Sequence, residues 1–410
     1  MIARPRTPAR SPAAVRLGRP AEIRRRCHEI LAIGERGDLP HFDVRTDRLA
    51  AAAGIVAGVT RERYPDLAVP PHSRWRHFEV GGTDRWNMLA RGLDPDERAR
   101  AAFDLVVPSV LLDAGAGAGW RYREAGTGQE FARSEGLAVA SFAMFSAGVF
   151  SSDAARPLRT DASALRACDP QRLAGAFQAG PGNRLKGMEG RAGLLRALGE
   201  ALEKRPDLFG SPPRVGGLYD RFRALPAPPS TAELLETLLD ALHPIWPERI
   251  VVDGSSLGDV WRHPSLRRGD ETDRLVPFHK LTQWLAYSLM EPLAEAGIRV
   301  RDPDGLTGLA EYRNGGLFID AGVLEPRDKG VFTVEHSPGA ELVVEWRALT
   351  LALLDRLAPL VRDRLELDEA QLPLAGILEG GTWAAGRMLA RRAREGGEPP
   401  IRLASDGTVF

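Results

Sequence analysis

Regularly spaced leucines constrain this chain more than any other feature of its sequence. In GRAGLLRALGEALEKRP, residues 190–206, apolar side chains recur every three or four residues and stop at Pro206, as in an amphipathic α-helix. STAELLETLLDALHPIWP begins with Ser230 and Glu233 at capping-box spacing and continues with leucines on one face. A third apolar stretch begins at Ser337, which we expect to cap a central helix. These segments predict a fold built mainly from α-helices.

Segments typical of β-strands are few and short. They are RIVVDG from Arg249, GGLFIDAGV from Gly315, VFTVEH from Val331 and IRLAS from Ile401. Strands and helices do not alternate regularly along the chain. We therefore expect a mainly α fold with a minor β element, and not a doubly wound parallel sheet.

The domain organisation follows from composition along the chain. Residues 1–20 contain five arginines, no acidic residue and several prolines, which predicts a disordered basic tail. Residues 21–410 are numerous enough to bury one large core, and we expect a single large, mainly helical domain there. The stretch 206–229 is rich in proline and glycine, and it is either a boundary between two units or a long ordered loop. We prefer the loop.

Charge and cysteine content exclude several classes of protein. Lys plus Arg equals Asp plus Glu at 55 each, so no overall charge attracts nucleic acid or an anionic membrane. Two cysteines are too few for a disulfide framework, which suits a reducing compartment. No apolar run approaches the roughly 20 residues that span a bilayer. We expect a cytoplasmic protein that binds neither nucleic acid nor membrane, with an oligomeric state that the sequence leaves open.

Metal and cofactor motifs are largely missing. The eight histidines form no pair at helical ligand spacing, and HExxH and P-loop motifs are absent. We therefore expect no metal and no bound cofactor. LLDAGAGAG, residues 111–119, resembles the first motif of Rossmann-type methyltransferases, which needs a buried strand before it. Because Pro108 interrupts that strand, we prefer a glycine-rich turn that lines another pocket, and an S-adenosylmethionine-dependent transferase is the less favoured alternative.

The first dense polar cluster is HSRWRHFEVGGTDRW, residues 72–86. Arg74, Arg76 and His77 alternate there with Trp75 and Phe78. Guanidinium groups bind phosphate or carboxylate, and aromatic faces stack on planar groups, so this composition suits an anionic, partly planar small molecule. The alternative is a protein surface of Arg–Asp pairs above aromatic packing.

A second cluster joins a turn to the helix that follows it. Asp259 and Trp261 lie in VDGSSLGDVW, a sequence that turn chemistry alone explains. In FHKLTQWLAYSLMEPL, Lys280 and Gln283 share a helix face with two aromatic residues, and His279 precedes them. This face is either the wall of a pocket or a surface packed against another helix.

The third cluster, in GLTGLAEYRNGGLFIDAG, contains Glu311 and Arg313 between apolar runs. The residues 314–316, Asn-Gly-Gly, predict a turn that presents them at the end of a helix. A carboxylate partly buried beside Lys280 would stay ionised, as a nucleophile or a stabiliser of positive charge does. A structural ion pair with Arg313 or Lys280 is the alternative.

Long strings of the sequence resemble a known family. They are HSRWRHFEVGGTDRW, LLDAGAGAGWRY, RSEGLAVASFAMF, VDGSSLGDVW, PFHKLTQWLAYSLMEPL, EYRNGGLFIDAGVL and SDGTVF. Together they resemble the uracil-catabolism protein family of the ring-opening pathway, a domain-of-unknown-function family, over nearly everything after the first twenty-odd residues. The resemblance implies a late role in a pathway in which uracil becomes a nucleotide, its ring is opened and the ribosyl-urea product is broken down to urea.

A second similarity concerns the chemistry. FHKLTQ followed by LTGLAEYR is similar to the queuosine-salvage N-glycosidases, which hydrolyse an N-glycosidic bond in a helical fold similar to that of helix-hairpin-helix DNA glycosylases. Lys280 and Glu311 match the active-site lysine and aspartate of those enzymes. The residues next to that lysine and aspartate are matched here by Gln283, Tyr312 and Arg313. The acid here is one methylene longer, and residues 314–316 replace an apolar-Pro-Gln run, so the reach of the acid and the shape of the pocket differ.

The similarity implies an N-ribosyl hydrolase that acts on a small ribosyl or ribose-phosphate substrate and releases urea. Breaking the C1′–N bond creates positive charge on C1′, which Glu311 would stabilise or capture. A urea nitrogen leaves poorly as an anion, so a donor must assist it, and Lys280, His279 and Asp259 are candidates.

A 5′-phosphate would bind the cluster of Arg74, Arg76 and His77. The loop from Asp113 to Gly119 is expected to close over the sugar. A non-catalytic binding partner or intermediate carrier in the same pathway is the alternative function.

Overall fold

Helices dominate the computed structural model, which describes residues 10–117, 119–404 and 407–408. The helices are α1 Pro12–Leu17, α2 Pro20–Glu35, α3 Leu49–Arg63, α4 Arg74–Phe78, α5 Arg85–Leu89, α6 Pro95–Leu111, α7 Arg133–Ser146, α8 Ala162–Arg166, α9 Pro170–Ala176, α10 Met188–Lys204, α11 Pro206–Phe209, α12 Gly217–Arg223, α13 Thr231–Leu242, α14 Lys280–Glu295, α15 Tyr312–Asp320, α16 Glu341–Leu365, α17 Leu374–Ile377 and α18 Trp383–Ala393. The predicted mainly α fold is confirmed.

The β content consists of short strands in two-stranded ladders. The strands are β1 Phe42–Val44, β2 Arg121–Arg123, β3 Glu130–Ala132, β4 Val251–Val252, β5 Ser255–Ser256, β6 Val260–Arg262, β7 Leu275–Pro277, β8 Leu324–Pro326, β9 Glu335–His336 and β10 Arg402–Leu403. The antiparallel pairs are β1 with β8, β2 with β3, β4 with β5, and β6 with β7, whereas β9 and β10 pair in parallel. Such ladders are too small to form a layer of their own.

A continuous cluster of buried apolar side chains extends from Ile23 to Ile401. α16 lies within it and packs against α2 and α3, while α14 packs against α6 and α13. Each fully buried leucine in these contacts contributes roughly 1.5–3 kcal/mol relative to an exposed one. α15 packs between α16 and α18, so the two helices that carry Lys280 and Glu311 both rest on buried partners.

The helices predicted from leucine spacing form, with one displaced start. α10 and α13 agree with the prediction, and Ser230 and Glu233 make the expected reciprocal capping box. α16 begins at Glu341 and not beside Ser337. The chain turns first, with Ala340 N–H donating to Ser337 O, and Gly339 lies so close beneath Trp261 that a Cβ there would be 2.7 Å from Cζ3.

The strand predicted over GGLFIDAGV is wrong, and so is the turn predicted over residues 314–316, because α15 covers the whole turn and continues to Asp320. The glycines serve close helix packing here and not a turn. A Cβ on Gly315 would lie 2.6 Å from Trp346 Cε2. The other strand predictions are borne out in part, since β4, β9 and β10 cover only the centre or end of each predicted segment.

The start of the described chain differs from the predicted tail of residues 1–20. Ser11 caps α1 through the N–H of Ala14, and Ala13 and Leu17 are buried. Proline in the first turn of a helix is tolerated, so the prolines here do not prevent helix formation. Residues 1–9, Ala118 and most of the terminal string SDGTVF lie outside the described residues.

The proline-rich stretch 206–229 is ordered, with α11 and α12 contributing Phe209, Leu218 and Phe222 to the core. The single domain over residues 21–410 stays a prediction. Within the described ranges, no helix has the length and apolar character needed to cross a membrane.

Candidate active site

A cavity of about 160 Å³ lies where α14, the start of α15, the loop 113–117 and the segment before β10 meet. Its chemically active lining combines aromatic and charged side chains. These residues are His72, His77, Asp113, Arg133, Ser134, Lys280, Trp284, Glu311, Tyr312, Arg313, Trp383 and Glu398. Since a closed cavity of about 150 Å³ holds a benzene ring, this partly open cavity accommodates one sugar ring and leaves room for its substituents toward the opening.

Glu311 reaches the cavity as the N-cap of α15. Its Oε2 accepts from the N–H of Arg313 at 2.7 Å and its Oε1 from the N–H of Asn314 at 2.6 Å. Burial raises the pKa of this carboxyl, although the two N–H groups and the Lys280 ammonium act in the opposite direction. The positive end of the helix dipole and the two amides hold the carboxylate in one orientation.

Lys280 reaches the same cavity from the first position of α14. The side chain is buried, and its Nζ lies 5.4 Å from the centre of the Trp284 ring. Among the described residues, the ammonium has neither a hydrogen-bond nor an ion-pair partner. Burial lowers the pKa of Lys280, while the Asp113 and Glu311 carboxylates raise it. The cavity therefore contains a carboxylate and an ammonium that interact electrostatically and keep donor and acceptor capacity for a ligand.

Asp259 and Trp261 lie behind the cavity wall and position Lys280. Asp259 accepts from the N–H of Lys280 at 2.9 Å and from Trp261 Nε1–H at 2.7 Å. Its two oxygens also pair with both terminal nitrogens of Arg347, each at 2.8 Å. Burial would raise the pKa of Asp259, but Arg347 and the hydrogen bonds hold it below its usual value. Arg347 also donates to the carbonyl of Ala310 at 3.3 Å, so it connects the starts of α14 and α15.

His279 and Gln283 also lie outside the cavity. His279 has a left-handed φ of 48° and lines smaller cavities beside Trp246, where burial lowers its pKa to about 4. Gln283 donates to Thr307 Oγ1 at 2.6 Å and accepts from the N–H of Thr307 at 3.0 Å. This pair holds the segment that leads to Glu311 against α14.

Comparison with known proteins gives a family and two relatives. Residues 16–410 match a family described as "Protein of unknown function (DUF1688)". The chain belongs to the DUF1688 family. "Protein urg3" of Schizosaccharomyces pombe (strain 972 / ATCC 24843) is 40% identical over 405 residues, 95% of this chain and 97% of that protein. "Uracil catabolism protein 4" of Lachancea kluyveri is 36% identical over 407 residues, 90% of this chain and 92% of that protein. The family resemblance inferred from the sequence strings is confirmed.

In this DUF1688 protein the arginine cluster predicted to bind phosphate does not converge on the cavity. Arg74 is fully buried behind the wall, where it donates to Ser109 Oγ at 2.8 Å and lies 3.1 Å from Asp113 Oδ1. Arg76 lies outside and pairs with Glu291 at 2.6 Å. Of the three predicted phosphate-binding residues, only His77 lines the cavity.

The glycine loop of the DUF1688 chain does line the cavity, with Asp113 and residues 114–117 in its wall. The fully buried Arg191 holds the loop by donating to the carbonyls of Leu112 at 3.2 Å and Gly115 at 3.3 Å. A helix, α6, leads into this loop, and Pro108 lies inside that helix. A Rossmann-type site needs a strand at this point, so the arrangement argues against S-adenosylmethionine binding at this loop.

Several cavity residues were not among the sequence-based candidates. Arg133, which has a φ of 55°, donates to Gly396 O at 2.9 Å. Arg313, which was a candidate, donates to the adjacent Gly397 O at 2.9 Å. His72 and Trp383 complete the aromatic part of the lining. Their segments are far apart in the chain, so spacing gave no indication of them. In the part of the chain that the structure describes, no group of three or more His, Cys, Asp or Glu side chains is placed to hold a metal ion.

Proposed function

We propose that this protein acts in uracil catabolism as an N-ribosyl hydrolase that releases urea from ribosyl-urea or its 5′-phosphate. The name of the Lachancea relative supports the pathway. The observation that carries the reaction type is the presence of Glu311 and Lys280 in one buried cavity that suits a single sugar ring. The similarity of these two residues to the acid and lysine of the queuosine-salvage N-glycosidases supports the same chemistry.

Glu311 is the group that meets the developing charge. As the C1′–N bond breaks, C1′ and the ring oxygen become positive, and a carboxylate at short range lowers the energy of that state. The two backbone N–H groups already orient the carboxylate, so it does not reorganise during the reaction. Because the site is buried, its electrostatic interactions are stronger than they would be in water.

Lys280 and Asp113 are the groups that bind the neutral parts of the substrate. The Lys280 ammonium provides N–H donors for the urea oxygen or a sugar hydroxyl, and it favours the ionised form of Glu311. Asp113 accepts from Ser134 Oγ at 3.2 Å and keeps acceptor capacity for sugar hydroxyls.

Two arginines favour the phosphorylated form of the substrate. Arg133 and Arg313 line the cavity, and each donates to one carbonyl of the turn at Gly396–Gly397. Neither forms an ion pair with a carboxylate of the described residues. A guanidinium that has spare N–H groups and no carboxylate partner is a suitable ligand for phosphate.

The test is direct assay of the purified protein with ribosyl-urea and with its 5′-phosphate, following urea and free sugar by NMR. We expect turnover, with the phosphate form preferred. Glu311→Gln should remain folded and lose at least on the order of a hundredfold in kcat. Glu233→Gln, a change of the same kind at the exposed start of α13, is the matched control. Tight binding without turnover, with an affinity that Glu311→Gln does not change, would instead support a carrier.

A further inference from the structure

A π-helical turn directs an acidic residue toward the cavity from behind. Leu378–Thr382 form this turn between α17 and α18, and such turns occur frequently at functional sites. Gly380 and Gly381 let the turn pack closely on α3, since a Cβ on Gly380 would lie 2.9 Å from Thr60 Cγ2. The turn places Glu379 beside His72.

The Glu379 carboxylate fixes the orientation and tautomer of His72. Glu379 Oε2 lies 2.8 Å from His72 Nδ1, while Oε1 accepts from Arg63 at 2.8 Å and from the Tyr64 hydroxyl at 3.2 Å. Burial would raise the pKa of Glu379, but the bonds from His72 and Arg63 lower it to about 2. An ionised carboxylate only accepts hydrogen bonds, so His72 Nδ1 carries the proton of this contact and Nε2 is the ring nitrogen that Glu379 does not engage.

His72 Nε2 is available to a ligand. It makes no hydrogen bond with a described residue and is accessible to solvent, and His72 is one of the residues that line the cavity. The ring stacks on Trp284 at a centroid distance of 6.2 Å and an angle of 25°, and lies 6.3 Å from Trp383. These rings restrict its rotation.

The second cavity histidine has the opposite environment. Nδ1 of His77 lies 3.3 Å from a nitrogen of Arg74, which can only donate. Burial, and then the Arg74 charge, lower the pKa of His77 well below its usual value. His77 therefore stays neutral, and His72 is the cavity imidazole that has a carboxylate partner.

We propose that His72, oriented by Glu379, is the general acid that protonates the leaving nitrogen of the substrate. This inference rests on the proposed hydrolysis and names the proton donor that it requires. Among the donors considered from the sequence, His279 and Asp259 lie outside the cavity, and Lys280 is the donor assigned above to the urea oxygen or a sugar hydroxyl. Glu379 is a positioning residue, since His72 lies between it and the cavity.

The proposed hydrolysis uses one water molecule and consumes no net proton. The C1′–N bond breaks and its electron pair stays on the nitrogen, which takes the Nε2 proton of the His72 imidazolium, so neutral urea leaves. Water adds its oxygen to C1′ and loses one proton to solvent through Glu311. His72 Nε2 then takes a proton from solvent, and the net reaction is ribosyl-urea plus water to ribose plus urea.

The test compares two leaving groups on the same 5′-phosphorylated ribosyl unit, urea and 4-nitrophenolate. Urea needs a proton in order to leave, whereas nitrophenolate leaves as a stable anion. His72→Asn should lose about 10²- to 10⁴-fold in kcat on ribosyl-urea phosphate and much less on the nitrophenyl compound, with similar KM values. Added imidazole should restore urea release in His72→Ala.

Two further variants separate acid catalysis from a structural role. Glu379→Gln keeps the shape of the partner and should show the same selective loss, smaller in size. His28 is another histidine paired with a carboxylate, since its Nε2 lies 3.0 Å from Asp355, but it lies away from the cavity. His28→Asn should therefore change neither reaction.

Equal losses of His72→Asn on both compounds, or no loss on either, would overturn the proposal. If the wild-type protein cleaved the nitrophenyl compound but not ribosyl-urea phosphate, the inferred acid would fail while glycosyl hydrolysis stood. If it cleaved neither, the proposed function itself would fail.

Discussion

At the scale of single residues, Glu311 combines a structural and a chemical role that a substitution can separate. Aspartate caps helices at least as well as glutamate, so Glu311→Asp should leave the free energy of unfolding nearly unchanged. The shorter side chain withdraws the carboxylate by more than 1 Å, and a displacement of that size costs roughly a hundredfold in rate. Urea unfolding and kcat/KM on ribosyl-urea phosphate measure the two effects. If Glu311→Asp kept full activity, catalysis would not depend on how far the side chain carries the carboxylate into the cavity, which would contradict the proposal.

Lys280 affects the pH at which Glu311 loses its charge. The ammonium lowers the pKa of Glu311, which burial raises. In Lys280→Met that lowering is lost, so the carboxyl remains protonated up to a higher pH, and the acidic limb of the kcat/KM profile should move to higher pH. Profiles of the wild type and the variant, measured on the nitrophenyl riboside phosphate, test this. A limb that moved to lower pH would show that the two groups do not interact as the structure implies.

Phosphate recognition is predicted to depend on Arg133 and not on Arg76. Arg133 lines the cavity without a carboxylate partner among the described residues, whereas Arg76 is paired with Glu291 outside it. Arg133→Gln should raise KM for ribosyl-urea phosphate by about tenfold or more, as the loss of a charged hydrogen bond does, and leave KM for unphosphorylated ribosyl-urea nearly unchanged. Arg76→Gln should affect neither KM. The reverse pattern would support the arginine cluster expected from the sequence.

At the scale of elements, the sequence predicted what local spacing determines. α10 and α13 follow from leucine periodicity, and the convergence of Lys280 and Glu311 was expected from their chemistry and from the similarity to the queuosine-salvage N-glycosidases. α15 was mistaken for a strand after a turn, because the contact of Gly315 with Trp346 is not local. Arg133 and His72 were missed for the same reason, since nothing near them in sequence indicates which distant segment completes the wall.

The packing of α15 gives a prediction about stability. Gly315→Ala would place a methyl group 2.6 Å from Trp346 Cε2, so we expect about 1–3 kcal/mol of destabilisation from overpacking and lower activity as Glu311 shifts. Gly193→Ala is the matched control, because nothing lies within 4 Å of a Cβ there, within α10. It should stabilise the protein by roughly 0.5–1 kcal/mol. Urea unfolding of both variants measures the difference, and equal effects would contradict this account of the packing.

At the scale of the whole molecule, the cavity is assembled from segments distributed along most of the chain. Its wall includes His72 and the loop 113–117 from the first third, Lys280 and Glu311 from the second half, and Glu398 near the end of the described residues. No single unit of secondary structure contains the site. A ligand that occupies the cavity therefore contacts all these segments together, and its binding energy stabilises them together.

Hydrogen exchange tests this arrangement without any turnover. Saturating ribose 5-phosphate should slow amide exchange at once in the loop 113–117, at Arg133–Ser134, at the start of α15 and in the turn at Gly396–Gly397, because the ligand suppresses the local opening of every segment that it contacts. Exposed amides of α9 and α12, which do not line the cavity, should be unaffected. Protection confined to α4 would instead place the phosphate on the arginine cluster of Arg74 and Arg76. Protection of all four segments would show that one ligand contacts them together. This is what we expect of an active site that forms only when the whole chain is folded.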